Sequence, residues 1–258
     1  MPVFLQAALN GDRIHPAAPR TPQAIAEAAL AAWNAGAQSV HVHAYDLGGH
    51  DLSSHLSSHA PSARETLDAT TCGRVLRAIE VLCPSVPVSL TTSATIVPDP
   101  VERLRLVERW TALPALVSAN QGEAGIVELC ELLLSRGVAI EAGLLSLGDA
   151  RAFVRSGLAP HCRRVLIEPL DEDPATAVEH AAAIEAVLHS ARIPLEQVHH
   201  GYGIACWAVN RRALTRGHGI RTGFEDVTVL PDGTPAQDNA ALVRAAQSLI
   251  HSHQPPAG

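Results

Sequence analysis

The chain predicts an α/β fold, a (β/α)8 TIM barrel, and three observations lead there. Short apolar runs rich in Val, Ile and Leu alternate with helix-length segments eight times along 258 residues, a length that barrels of this class use as one unit. The runs are continuously apolar, as parallel strands buried on both faces are. No glycine-rich dinucleotide turn follows the first strand, which places the open doubly wound sheet second. One barrel over residues 1–258 is expected, with a long polar loop at about 44–62 and a flexible tail at 254–258.

Taken in order, Val3 to Leu9 makes the first strand, closed by Asn10-Gly11-Asp12. Thr21 caps a helix that carries Pro22 at its first position, where no amide needs a partner, and that runs to Asn34 before Gly36. Ser39 to His43 is the second strand. After it, Leu52-Ser-Ser-His55 and Leu56-Ser-Ser-His59 repeat within a glycine- and serine-rich stretch, the pattern of a mobile loop or a lid. A helix is expected over Ala63 to Leu82, then a strand over Val86 to Thr92 and a helix over Val101 to Trp110. Ala115 to Asn120 and Val138 to Ala142 are the fourth and fifth strands, with helices over Ala124 to Ser135 and Leu147 to Ser156. Arg164 to Glu168, Gln197 to His200 and Ile220 to Phe224 complete the strands. The last helices span Pro174 to Ser190, Ile204 to Arg216, and Asp238, as a cap, to about His251.

Composition narrows the function. Apolar residues make up 47% of the chain and aromatic ones 3%, so the core is expected to be aliphatic and alanine-rich. A net charge of −7 without a basic block argues against a nucleic-acid partner and against a polybasic membrane anchor. Met1 to Asn10 has no basic leader and too short an apolar run to span a bilayer. Cys72, Cys83, Cys130, Cys162 and Cys206 are scattered, which points to a reducing cytoplasm and to small buried thiols rather than disulfides.

The chemistry concentrates at strand ends, where barrel active sites lie. His41 and His43 stand two apart on one strand, so both imidazoles face the same way and can share a metal ion. Glu225, closing the eighth strand, is the best third ligand for zinc or another borderline divalent ion; His199 or His200 are the alternatives, and only one of those two can face the barrel axis. Asn10, Asp12, Thr91, Thr92 and Asn120 also end strands. Glu141 and Glu168 are ligands, bases or salt-bridge partners on this reading, and Arg221 pairs with Asp226 or with a substrate carboxylate.

With those residues in place, the chain resembles the β-keto acid cleavage enzymes, the family of the 3-keto-5-aminohexanoate cleavage enzyme. The likeness is carried by Ala8-Leu-Asn-Gly11, His41-Val-His43 with Asp46, Val88-Ser-Leu-Thr-Thr92, Ser118-Ala-Asn120, Glu141-Ala-Gly143 and Arg221-Thr-Gly-Phe-Glu-Asp226. It implies a zinc-dependent barrel, assembled as a homo-oligomer, that condenses a β-keto acid with acetyl-CoA and cleaves the product to acetoacetate and a new acyl-CoA. His41, His43 and Glu225 would hold zinc, Asp226 with Arg221 would take the proton, and Glu141 with Thr91 or Thr92 would orient the substrate. Asn120 would donate to an oxyanion, and Tyr45 stands where the family carries an arginine in contact with substrate or CoA. A metal-dependent hydrolase, a CoA-independent aldolase or lyase, and a barrel that only binds a carboxylate or a metal are the competing readings.

Overall fold

The computed structural model describes residues 3–13, 15–48 and 63–253. Eight parallel strands close into a barrel: β1 (Leu5–Ala8), β2 (Ser39–Val42), β3 (Val88–Thr91), β4 (Leu116–Asn120), β5 (Ala139–Leu144), β6 (Arg164–Ile167), β7 (Glu196–His199) and β8 (Gly219–Thr222). Each strand pairs with its neighbours in sequence, and β8 returns to β1 with Leu5 opposite Ile220 and Ala7 opposite Thr222. Among the described residues, the helices are α1 (Pro22–Asn34), α2 (Ala69–Leu82), α3 (Pro100–Glu108), α4 (Ile126–Ser135), α5 (Leu147–Ser156), α6 (Pro174–Ser190), α7 (Ala205–Thr215) and α8 (Asn239–His253). The expected (β/α)8 barrel is the fold.

Local chemistry explains the helix starts. Thr21 Oγ1 accepts from the Ala24 amide at 3.1 Å, Asp173 Oδ1 from Thr176 at 2.9 Å and Ser146 Oγ from Asp149 at 3.2 Å, each filling an orphan donor of a first turn. Helix α2 departs from expectation, for it begins at Ala69 and not near Ala63. Asp68 Oδ2 takes the Thr71 amide at 2.9 Å, and the preceding Leu67 is buried with its carbonyl held by Trp110 Nε1 at 2.8 Å. A cap fixed that firmly leaves 63–67 out of the helix, and Arg64–Glu65 pairs antiparallel with Tyr45–Asp46 as a short ribbon outside the barrel. The repeated Leu-Ser-Ser-His segment and the tail 254–258 lie outside the described residues.

The core has two characters. Between strands and helices it is aliphatic and alanine-rich as expected, and all five cysteines are free and buried there. The barrel interior, however, is polar, which corrects the expectation of an aliphatic core throughout. Buried Gln6 Nε2 donates to Glu141 Oε1 at 2.9 Å, Ser89 Oγ donates to Glu141 Oε2 at 2.5 Å, and Arg164 lies 3.6 Å from the same carboxylate with Phe4 stacked on its guanidinium at 3.8 Å. Buried polar groups persist when partnered, and the Glu141 carboxylate is met on both oxygens, while Gln6 Oε1 and Arg164 Nε and Nη1 have no hydrogen-bond partner among the described residues. No helix among the described residues is long and apolar enough to cross a membrane.

On the outer layer, Glu185 of α6 gathers Arg212 of α7, Arg216 just past the end of that helix and His218 before β8, the last two at 3.1 Å. Burial pushes the Glu185 carboxyl upward, but hydrogen bonds from Arg212 and His218 win and hold it at about 2. The folded value lies below the ordinary 4.5, so this cluster stabilises the fold above that pH, and its contribution fades as pH falls toward about 2. The melting temperature of Glu185→Gln is therefore expected to lie below wild type at neutral pH and to converge on it in acid; a gap independent of pH would refute the assignment.

Candidate functional site

Strand alternation and barrel closure bring three distant side chains to one point. His41, inside β2, and His43, just past its end, share a face, and Glu225 follows β8, the neighbour of β1 on the other side. Glu225 Oε2 lies 3.5 Å from His41 Nε2 and 3.6 Å from His43 Nε2, and the three atoms fall within 4.8 Å of one another. Both outward nitrogens are already engaged. His41 Nδ1 meets Ser89 Oγ at 3.3 Å, and His43 Nδ1 meets Glu65 Oε1 at 2.5 Å. The His43 backbone is clamped as well, its amide donating to Asn10 Oδ1 at 2.8 Å while Asn10 Nδ2 donates to the His43 carbonyl at 3.1 Å.

Whether a metal fits is tested by Glu225 itself. Its Oε1 accepts from Arg221 Nη2 at 3.0 Å, whereas the buried Oε2 has no hydrogen-bond donor among the described residues. A buried anionic oxygen aimed at two imidazole nitrogens, both oriented from behind, is a donor set suited to a borderline divalent ion with positions left open. Electrostatics makes the two histidines unequal. Burial pushes His41 down to about 3 against the pull of Glu225. His43 is equally buried, but Glu225 and Glu65 outweigh burial and raise it to about 10.

The next residue begins the second half of the site. Asp226 Oδ1 accepts from Arg221 Nη2 at 2.7 Å and Oδ2 from Arg221 Nε at 3.1 Å, a two-point fork. His200 Nδ1 stands 3.3 Å from Asp226 Oδ1, and its Nε2 stands 3.3 Å from Glu168 Oε2. Burial works to raise the Asp226 carboxyl, yet Arg221 and His200 together hold it below the usual aspartate value. Burial and Arg221 oppose charge on His200, but Asp226 and Glu168 prevail and raise it to about 9. The group able to accept a proton is thus an ionised carboxylate between two cations.

These groups open into a pocket of about 530 Å³ at the carboxyl ends of the strands. Of the residues expected there, Asp12, His41, His43, Thr91, Asn120, Glu168, Arg221, Glu225 and Asp226 line it. Glu141, Thr92 and Tyr45 do not, nor do Asn10, His199 and His200. Glu141 is the third residue of a six-residue β5, so it sits below the mouth, and its hydrogen-bonded route to the site runs through Ser89 to His41. Thr92 follows Thr91 and turns the opposite way, donating to the Ser118 carbonyl at 2.7 Å. Tyr45 is buried with its hydroxyl on the Gly11 carbonyl and Arg20 5.1 Å over its ring. Of the paired histidines, His200 faces Asp226 while His199 packs outward against His218, ring centroids 4.8 Å apart, and neither joins the metal set.

Sequence reasoning missed three participants. Ser89 was detectable, since it lies two before Thr91 on the same face of β3. Glu65 was not, because it arrives from the ribbon. Arg13 donates from Nε to the Glu225 carbonyl at 3.2 Å and from Nη2 to the Asp226 carbonyl at 3.0 Å, with its guanidinium 4.1 Å over the Tyr202 ring.

Comparison with known proteins decides the family. The family model for beta-keto acid cleavage enzymes matches residues 2–257. The chain belongs to that family. No curated protein matches it. Among solved structures, this family member resembles the ternary complex of ObcA with C4-CoA adduct and oxalate, with a TM-score of 0.70, 17% identity and coverage of 92% of this chain and 64% of that one. The binary complex of ObcA with oxaloacetate gives a TM-score of 0.65 at 16% identity, again covering 92% and 64%. The 3-hexulose-6-phosphate synthase of Salmonella typhimurium gives 0.57 at 12% identity, covering 97% and 100%. At such identities the likeness is one of barrel fold, and the chain spans less than two thirds of the ObcA chains.

Gly11 ties the first loop to the site. Its φ is +102°, and a Cβ there would stand 2.6 Å from Glu225 Cγ. Gly11→Ala is expected to displace the Glu225 carboxylate and to weaken divalent-metal uptake by about tenfold or more, measured by chelator competition. Unchanged uptake in a folded variant would show that Glu225 is not a ligand.

Proposed function

We propose that this chain is a zinc-dependent β-keto acid cleavage enzyme, condensing a β-keto acid with acetyl-CoA and releasing acetoacetate and a new acyl-CoA. The observation that carries the reading is an adjacency. Glu225 supplies an oxygen to the His41–His43 set, the next residue Asp226 presents an ionised carboxylate to the same pocket, and one buried Arg221 holds both. Membership of the family over residues 2–257 supports the reaction class. The ligands of the two ObcA complexes, oxaloacetate and a C4-CoA adduct with oxalate, support a β-keto acid and a CoA thioester as the reactants.

A divalent ion held by His41, His43 and Glu225 would supply Lewis acidity, lowering the cost of enolate formation. The protein's own groups do the rest. The Asp226 carboxylate takes the proton from the carbon between the keto and carboxylate groups, and Arg221 and His200 hold it in place for that transfer. The carbanion attacks the acetyl thioester and expels CoA thiolate. That thiolate then attacks the original keto carbon. The bond between this carbon and the carboxylate-bearing carbon breaks, and Asp226 returns its proton to the acetoacetate that leaves. Thr91 and Asn120 on the facing wall offer donors to the oxygen that gains charge in each attack.

The test assays bound zinc, then incubates the protein with acetyl-CoA and a panel of β-keto acids and reads CoA esters by mass. A changed acyl group is expected with wild type. His43→Ala should lose both metal and product, whereas Asp226→Asn should keep the metal and lose about 10²–10⁴ in kcat. Bound zinc without a new thioester would refute the acyl exchange in favour of a hydrolase or lyase.

A further inference from the structure

We propose that Glu65 is a positioning residue of the metal site, holding the His43 ring by Nδ1 so that Nε2 faces Glu225. The inference rests on the metal reading above and adds to it a residue from outside the barrel. Glu65 Oε1 lies 2.5 Å from His43 Nδ1, and on the far side of the ring Nε2 lies 3.6 Å from Glu225 Oε2. Both side chains are largely buried, 9% exposed for His43 and 15% for Glu65, so water competes little for the contact.

The two imidazoles reach the same orientation by different routes. Ser89 Oγ has one proton and donates it to Glu141 Oε2 at 2.5 Å, so toward His41 Nδ1, 3.3 Å away, it can only accept. An ionised carboxylate likewise can only accept, so Glu65 requires the proton of His43 on Nδ1. In both rings Nε2 is then the nitrogen left for a metal beside Glu225, and at His43 the metal would take the place of the Nε2 proton. For His41 the carboxylate acts through a hydroxyl, and every member of that relay is rooted in a barrel strand. For His43 it acts directly, from the ribbon pairing Tyr45–Asp46 with Arg64–Glu65.

That ribbon is fixed without Glu65. The Thr66 amide donates to the Ala44 carbonyl at 2.9 Å, the Leu67 carbonyl accepts from Trp110 at 2.8 Å, and Asp68 caps α2. Removing the Glu65 carboxylate therefore leaves the fold its own anchors and takes from His43 the partner that sets its tautomer and raises its basicity as a ligand.

The experiment titrates Zn²⁺ alone, in competition with a chromophoric chelator, into metal-stripped wild type, Glu65→Gln and Glu65→Leu. Affinity is expected to fall about 10–100-fold in Glu65→Leu, with Glu65→Gln between, because its amide oxygen still accepts from Nδ1 but carries no charge. A second readout is the ¹⁵N spectrum of zinc-loaded protein labelled at histidine, which should show His43 protonated at Nδ1 in wild type. Melting of each metal-free variant reports on folding, and if Glu65→Leu does not fold, Glu65→Gln alone decides. Zinc uptake by wild type with the same affinity in the folded variant, or His43 protonated elsewhere, would overturn the role of Glu65 and leave the metal site standing. No zinc uptake by wild type would overturn both.

Discussion

Burying the guanidinium of Arg221, 1% exposed, costs several kcal/mol unless anions meet it, and the anions come from the next turn of its own chain. Glu225 and Asp226 both bond to it, and in doing so each is fixed in place. One carboxylate then has a single oxygen left to offer beside two imidazoles, and the other is held ionised at the pocket wall. The turn that permits this is tight. Gly223 has φ +146°, and a Cβ there would stand 1.9 Å from the Ala8 carbonyl of β1. Closure of the barrel between β8 and β1 and construction of the site are therefore one event.

Beneath this pair the lumen continues the same logic. Gln6, Ser89, Glu141 and Arg164 form a polar cluster around one carboxylate where many barrels stack aliphatic layers, and burial pushes the Glu141 carboxyl upward against its partners Ser89 and Arg164. Through Ser89 it also orients His41. Polar packing inside the barrel thus serves two purposes, filling the interior and aiming a ligand. The inequality of His41 and His43 has another origin: burial, with Arg221, outweighs Glu225 at His41, whereas Glu225 and Glu65 of the ribbon outweigh burial at His43.

Where sequence reasoning went astray, the errors share a cause. The sequence places Glu141 at a strand end because Gly143 interrupts the apolar run after Ala142, but β5 continues to Leu144 and leaves it below the mouth. Thr92 neighbours a pocket residue and so faces away from it, as period-two alternation requires. The helix expected from Ala63 begins at Ala69, since a buried Leu67 and an Asp68 cap outweigh the helix-compatible residues before them. Two of these are shifts of a few residues at an element boundary and the third is the alternation of adjacent side chains, and at a strand end both decide whether a side chain meets the pocket.

The sequence by itself determined the barrel, the order of its strands and helices and the limits of α1, α5 and α6, because these follow from periodicity, capping and spacing along the chain, while the family resemblance singled out His41, His43, Glu225, Arg221 and Asp226. Only the tertiary structure decided what stands behind those residues: Glu65 on His43, Ser89 and Glu141 on His41, His200 on Asp226, and Arg13 on the two carbonyls between β8 and α8. Such contacts join positions far apart in sequence. They depend on strand register, on side-chain direction and on the closure of β8 against β1, and a local pattern of residues contains none of these.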